Sequence, residues 1–92
     1  MTKAEIVKEI VRLTGLRQQS VADTVDGFMM IVSESLKAGE EVTLRGFGTF
    51  RTVLKAEKAA RNIHTGETVL VPAHRDVKFK PARELKEAVA QS

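Results

Sequence analysis

The chain has 92 residues, with 15 Lys and Arg against 12 Asp and Glu, for a formal net charge of +3. That length supports one domain, and a lone chain of this size buries only about 60–65% of its unfolded surface, so a monomer is marginally stable. The absence of Cys excludes disulfides, thiol catalysis and Cys-ligated zinc. No apolar run approaches the roughly 20 residues of a membrane span, and no signal-peptide core opens the chain, so the expectation is a soluble, cytoplasmic protein.

Thr2-Lys3-Ala4-Glu5 reads as a capping box, in which the hydroxyl and the carboxylate satisfy amides of a first helical turn. Ile6, Val7, Ile10, Val11 and Leu13 follow at helical spacing, and Gly15 supplies a stop. A second helix is expected from near Gln18, because Val21, Val25, Phe28, Met29, Val32 and Leu36 fall on one face, with Gly39 as its left-handed end. The short connection predicts a helical hairpin over about residues 3–38.

From Glu41 the apolar period changes to two, with Val42 and Leu44 on one side and Glu41, Thr43 and Arg45 on the other. Gly46-Phe47-Gly48 interrupts this as a tight turn, and Thr49-Phe50-Arg51-Thr52-Val53 resumes it. Val77-Lys78-Phe79-Lys80 alternates again, and Pro81 suits the first turn of a helix through Ala82, Leu85, Ala88 and Val89. Residues 54–76 can form a two-stranded ribbon turning at Asn62-Ile63-His64-Thr65-Gly66, but they hold no Phe to seal a core. Such a ribbon is marginal by itself, and reads either as a flexible loop or as an arm awaiting a ligand.

Charge is uneven along the chain. Six Lys or Arg stand against seven Asp or Glu in residues 1–50, whereas nine stand against five in residues 51–92, a net −1 and a net +4. Basic charge gathered in one half points to a polyanion partner, or more plainly to a solvated basic face.

The strings Arg45-Gly46-Phe47-Gly48-Thr49-Phe50, Arg61-Asn62 with Thr65-Gly66, Phe79-Lys80-Pro81 and Leu85-Lys86, in that order, resemble the bacterial HU/IHF family of histone-like DNA-bending proteins across essentially the whole chain. The resemblance implies an α+β fold in one domain, residues 1–92. A helical hairpin would precede an antiparallel β-sheet saddle and arm over 41–80, the extended β-ribbon arm being 54–76, with a short C-terminal helix at 82–90. It also implies an intertwined dimer, as a homodimer or with a homologous subunit as a heterodimer. The apolar faces, with Phe28, Phe47, Phe50 and Phe79, agree independently, since they exceed what a small monomer can hide.

The partner implied is double-stranded DNA, held by phosphate neutralisation and bent through the minor groove. Lys78 and Lys80 on one strand face, with Arg83 and Lys86 one turn apart on the next helix, read as a phosphate-positioning surface. Lys55, Lys58, Arg61 and Arg75 are the arm candidates, Arg61 foremost because it adjoins the turn. Strict alternation separates Lys58 from Lys55 and Arg61 unless a bulge intervenes. Asn62 serves base edges or the turn, and His64 is a solvated tip residue that can touch DNA. Arg45 reaches a narrow minor groove or pairs with Glu41. Lys3 meets phosphate as the duplex wraps the flanks, or is a plain surface lysine.

Ile63 is the main departure, standing where the family usually has a Pro that wedges between base pairs. Isoleucine is also an apolar wedge, but without a fixed backbone angle, so kinking is expected to survive in a shallower form. Ala60 and Ala82 replace frequent glycines, and Arg17 replaces a usual helix cap.

No catalytic set is present. His64 and His74 would not converge across the ribbon, and no Walker-type phosphate loop follows Gly46 or Gly48. The reading is therefore a non-enzymatic protein without metal, cofactor, small-molecule substrate or membrane, associated with the bacterial nucleoid. Its function would be sequence-tolerant DNA bending. The alternatives are an IHF-like, site-preferring bender and, from another class, a structural dimer whose arm grips a protein.

Overall fold

In the computed structural model, which describes residues 1–92, a hydroxyl opens the first helix. Thr2 Oγ1 accepts the Glu5 N–H at 3.3 Å and starts α1, Lys3–Thr14. The Glu5 carboxylate takes the Thr2 hydroxyl at 3.4 Å, so the reciprocal half of the expected box goes to the side chain and not to the amide. Gly15 ends α1 at φ 72°, a conformation that only Gly adopts without cost, and its N–H meets the Val11 carbonyl at 2.8 Å. The second helix, α2, runs Gln18–Lys37.

The chain divides into two compact units, Met1–Ser35 and Leu36–Ser92. In the first, the apolar stripes of α1 and α2 bury Val7 and Val21, and Lys3 Nζ meets Asp26 Oδ1 at 2.8 Å, tying the first turn of α1 to the middle of α2. Phe28, Met29, Met30 and Ile31 of α2 remain exposed.

In the second unit α2 finishes at Gly39, whose N–H meets the Leu36 carbonyl at 3.0 Å. Five strands follow: β1 Val42–Leu44, β2 Gly48–Lys55, β3 Lys58–Arg61, β4 Thr68–Val71 and β5 His74–Pro81. They form an antiparallel three-stranded sheet in the order β1-β2-β5 and a separate two-stranded ribbon, β3-β4. Between them the chain leaves strand geometry at residues 56–57 and again at 72–73. The register is the same on both sides of this interruption: Lys55 faces His74 before it and Lys58 faces Val71 after it. The arm therefore contains an opening and no inserted bulge residue.

Two further details differ from the sequence expectation. Arg45 sits in the turn after β1 and not on the outward face of the strand; Gly46 there has φ 81°, and the Phe47 N–H closes on the Leu44 carbonyl at 2.9 Å. Pro81 is the last residue of β5, opposite Gly48, and Ala82 stands at the N-cap position of α3, Arg83–Ala90, without a side-chain cap bond. A proline fits a strand end because the ladder asks no donor of it there.

The aromatic contacts of this unit centre on Phe79, whose ring lies 4.8 Å from that of Phe50 and 5.5 Å from that of Phe47. Gly48 is buried against that ring: a Cβ added there would stand 2.6 Å from Phe79 and 2.7 Å from the Lys80 carbonyl oxygen. Even so, Phe47, Leu54 and Val77 stay largely exposed within a single chain.

Candidate nucleic-acid interface

Residues directly opposite in an antiparallel ladder share a sheet face. In the β2–β5 register Phe50 faces Phe79 and Thr52 faces Val77, which makes one side apolar. The other side pairs Thr49 with Lys80, Arg51 with Lys78, Val53 with Asp76 and Lys55 with His74. Three of the cations expected from sequence, Lys55, Lys78 and Lys80, thus share one polar face. Thr43 of β1 borders it, its hydroxyl accepting from Thr49 Oγ1 at 3.3 Å.

Arg45, Lys80 and Arg83 come together where this sheet meets α3. They line one open cleft of about 450 Å³ with Gly46, Thr49 and Glu84. Arg83 Nε is already held by Glu87 Oε1 at 2.8 Å, one helical turn on. Lys86 is exposed on the same helix.

At the opening of the arm, Lys55, Lys58 and His74 line a second cleft of about 540 Å³, together with Glu57 and Asp76. His74 Nδ1 lies 2.9 Å from the Pro72 carbonyl oxygen and its Nε2 3.8 Å from Asp76 Oδ1. Within β3, Lys58 and Arg61 are three residues apart and so occupy opposite faces of the ribbon.

The arm tip is built by Asn62. Its Oδ1 accepts the N–H groups of His64 at 2.9 Å and Thr65 at 3.4 Å, while its backbone bonds to Glu67 and Gly66 close the turn. The turn-forming reading of Asn62 is thus realised in the free chain. Ile63 is left 94% exposed at the apex.

Two candidates stand apart. Lys3 belongs to the Met1–Ser35 unit and is paired with Asp26. Arg75 lies opposite Leu54, on the apolar side of the sheet, and donates from Nη2 to the Lys37 carbonyl at 2.9 Å. One residue absent from the sequence-derived set joins the polar face: Arg51. The signal was available, since Thr49, Arg51, Val53 and Lys55 alternate with Phe50 and Thr52.

Comparison with known proteins decides the family. Residues 1–90 match the family model described as bacterial DNA-binding protein. The chain belongs to this HU/IHF family. It is 41% identical over 88 residues to DNA-binding protein HU of Caulobacter vibrioides, covering 96% of each chain. It is 38% identical over 89 residues to integration host factor subunit alpha of Pseudoalteromonas atlantica, covering 97% of this chain and 91% of the other. The fold superimposes on that of an Anabaena HU–DNA cocrystal structure with a TM-score of 0.93, at 26% identity and over 100% of both chains. In HU/IHF terms the β1-β2-β5 sheet is the saddle and the β3-β4 ribbon is the distal arm.

Proposed function

We propose that this protein is a histone-like architectural protein, which binds duplex DNA with little sequence specificity, lays its arms in the minor groove and bends or compacts the duplex. The observation that supports it most directly is the polar face of the saddle. Lys78 and Lys80 stand there on successive pairs of one face, next to the Arg45–Arg83 cleft and continuous in register with an arm that ends in an exposed apolar residue. Cations on a pleated face neutralise phosphates and release counterions, giving affinity without base information. Arg61, Asn62, Ile63 and His64 reach the groove at the tip, with Ile63 as the wedge between base pairs. Lys55 and Lys58 follow the backbone along the arm, and Lys3 and Lys86 meet the flanking phosphates.

The acting species is a dimer, of two copies or of this chain with a homologous subunit. A single chain buries only Val7, Val21 and Leu36 among its hydrophobic residues, and leaves Phe28, Met30, Ile31, Phe47 and Val77 in solvent. Large apolar side chains left exposed in both units belong in an interface. Action on the bacterial nucleoid, in the cytoplasm, goes with this reading.

Fluorescence anisotropy across a salt series tests it, using three duplexes of equal length: random, A-tract-rich and nicked. Tight binding that weakens with a slope equivalent to roughly 6–10 displaced counterions, with preference for the nicked duplex, is expected. Strong preference for one intact sequence would indicate a site-preferring bender. No salt-dependent binding to any duplex would sink the reading.

A further inference from the structure

Arg51 sits in an arrangement that folding alone disfavours. It lies directly opposite Lys78, and the next pair on the same face, two rungs along, adds Lys80 opposite Thr49. Like charges directly opposed across an antiparallel pair destabilise a sheet. Arg51 is partly covered, and its Nε is buried with no hydrogen-bond partner. A guanidinium presents five donors and no acceptor, and no hydrogen bond or ion pair within the chain engages this one.

The chain offers two carboxylates near enough in register to serve, and neither does. Asp76, on the same face beyond Val53, stands by His74 Nε2 at 3.8 Å. Glu41 lies one residue before β1, whose ladder with β2 ends at Val42 opposite Phe50. It is exposed, and no ion pair joins it to Arg51. Two cations therefore share one rung with no anion between them.

We propose that Arg51 and Lys78 form a phosphate seat on the saddle, with Arg51 an affinity-setting ligand for the backbone of double-stranded DNA. This rests on the DNA-binding reading above. A phosphate placed between the two side chains converts their repulsion into shared attraction, and its oxygens accept from the guanidinium fork. Such a contact reads no base, so it sets affinity and salt dependence and leaves sequence preference alone.

The test is Arg51→Met, which keeps an aliphatic stem and removes the charge, with Arg51→Lys as its companion. In the DNA-free protein, Arg51→Met is expected to leave the melting temperature unchanged or raise it. The slope of log affinity against log salt should become shallower by about 0.9 for each Arg51 engaged, or about 1.8 for a dimer using both. Preference among random, A-tract-rich and nicked duplexes should not move. Arg51→Lys should keep the slope and lose several-fold in affinity, because an ammonium cannot fork onto two oxygens.

A lower melting temperature with an unchanged salt slope would make Arg51 a structural residue and overturn the proposal. An unchanged slope in a stable variant would overturn it equally. Failure of the unsubstituted protein to bind any duplex would instead remove the DNA reading on which the seat rests. The two failures are distinguished by that single control.

Discussion

Arg75 of β5 donates from Nη2 to the carbonyl of Lys37, in the last turn of α2, at 2.9 Å. A Cβ at Gly39, just past that turn, would lie 3.6 Å from the Arg75 Nη1. The carbonyls of a final helical turn have no partner within the helix, and a cation beside them also complements the helix dipole. Arg75 thus performs a capping task in the free chain, on the face of the sheet opposite Lys78 and Lys80. Replacing it by Ala is expected to cost about 1 kcal/mol of stability, or about 4–8 °C in melting temperature for a chain of this length, with the salt slope of DNA binding intact. Thermal unfolding and the anisotropy salt series, run on the same preparation, separate the two roles. A slope that falls while the melting temperature holds would make Arg75 a phosphate ligand after all.

Lys3 poses the reverse case. Its ammonium is occupied by Asp26 at 2.8 Å, with both side chains about half exposed, 53% and 52%. An exposed pair of this kind contributes only about 0–1 kcal/mol, so a phosphate can compete for the lysine at little cost. Asp26→Asn should therefore leave the melting temperature within a few degrees. It should also tighten binding to a duplex long enough to wrap the flanks, steepening the salt slope by about 0.9 per Lys3 recruited. A short duplex should bind as before. Equal tightening on both lengths would mean that Asp26 acts through general charge and not through Lys3.

Gly48 controls the packing on which the saddle depends. With a side-chain methyl 2.6 Å from the Phe79 ring and 2.7 Å from the Lys80 carbonyl, β2 and β5 would have to separate at the rung next to Lys80. The ring could rotate away, but the carbonyl belongs to the ladder and cannot. Gly48→Ala is expected to cost about 3 kcal/mol, at the upper end of overpacking penalties, with a large loss of melting temperature. A variant that melts like the parent would show that the strands yield more easily than close packing allows.

How far these features were legible beforehand depended on the kind of signal. Both hairpin helices follow from apolar residues at helical spacing and from Gly15 and Gly39, because local periodicity and left-handed stops act within one turn. The alternation of β2 and β5 was equally plain and set Arg51 and Lys78 on the polar sides of their own strands. The register that places them opposite one another is fixed by the closure of the arm and is not encoded in alternation. The opening of the arm at 56–57 and 72–73 also had a sequence sign in Pro72, which has no N–H to give a ladder. Arg45 and Arg75 were less accessible. Where the strand stops short of Arg45, and which carbonyl Arg75 finds, are set by contacts between residues 38 apart or by turn closure, and periodicity does not encode either.

Ile63 gives the most direct test of the arm. It occupies the first position after Asn62 in a turn closed by the Gly66 N–H to the Asn62 carbonyl at 2.8 Å, with Gly66 at φ 75°. The amides on either side are used, Asn62 by Glu67 and His64 by Asn62 Oδ1, whereas the Ile63 amide makes no hydrogen bond. Proline there would sacrifice no donor and would suit the second position of a turn. Ile63→Pro is therefore expected to leave stability unchanged or slightly raised, and to tighten binding and deepen the bend by preorganising the tip. Ile63→Ala should shrink the wedge and reduce the bend, with little effect on the salt slope because no charge is removed. Fluorescence resonance energy transfer between the ends of a labelled duplex reads the bend, and anisotropy reads the affinity. If alanine and proline both leave the bend where isoleucine sets it, the apex does not enter the base stack, and the deformation must come from the phosphate contacts of the saddle alone.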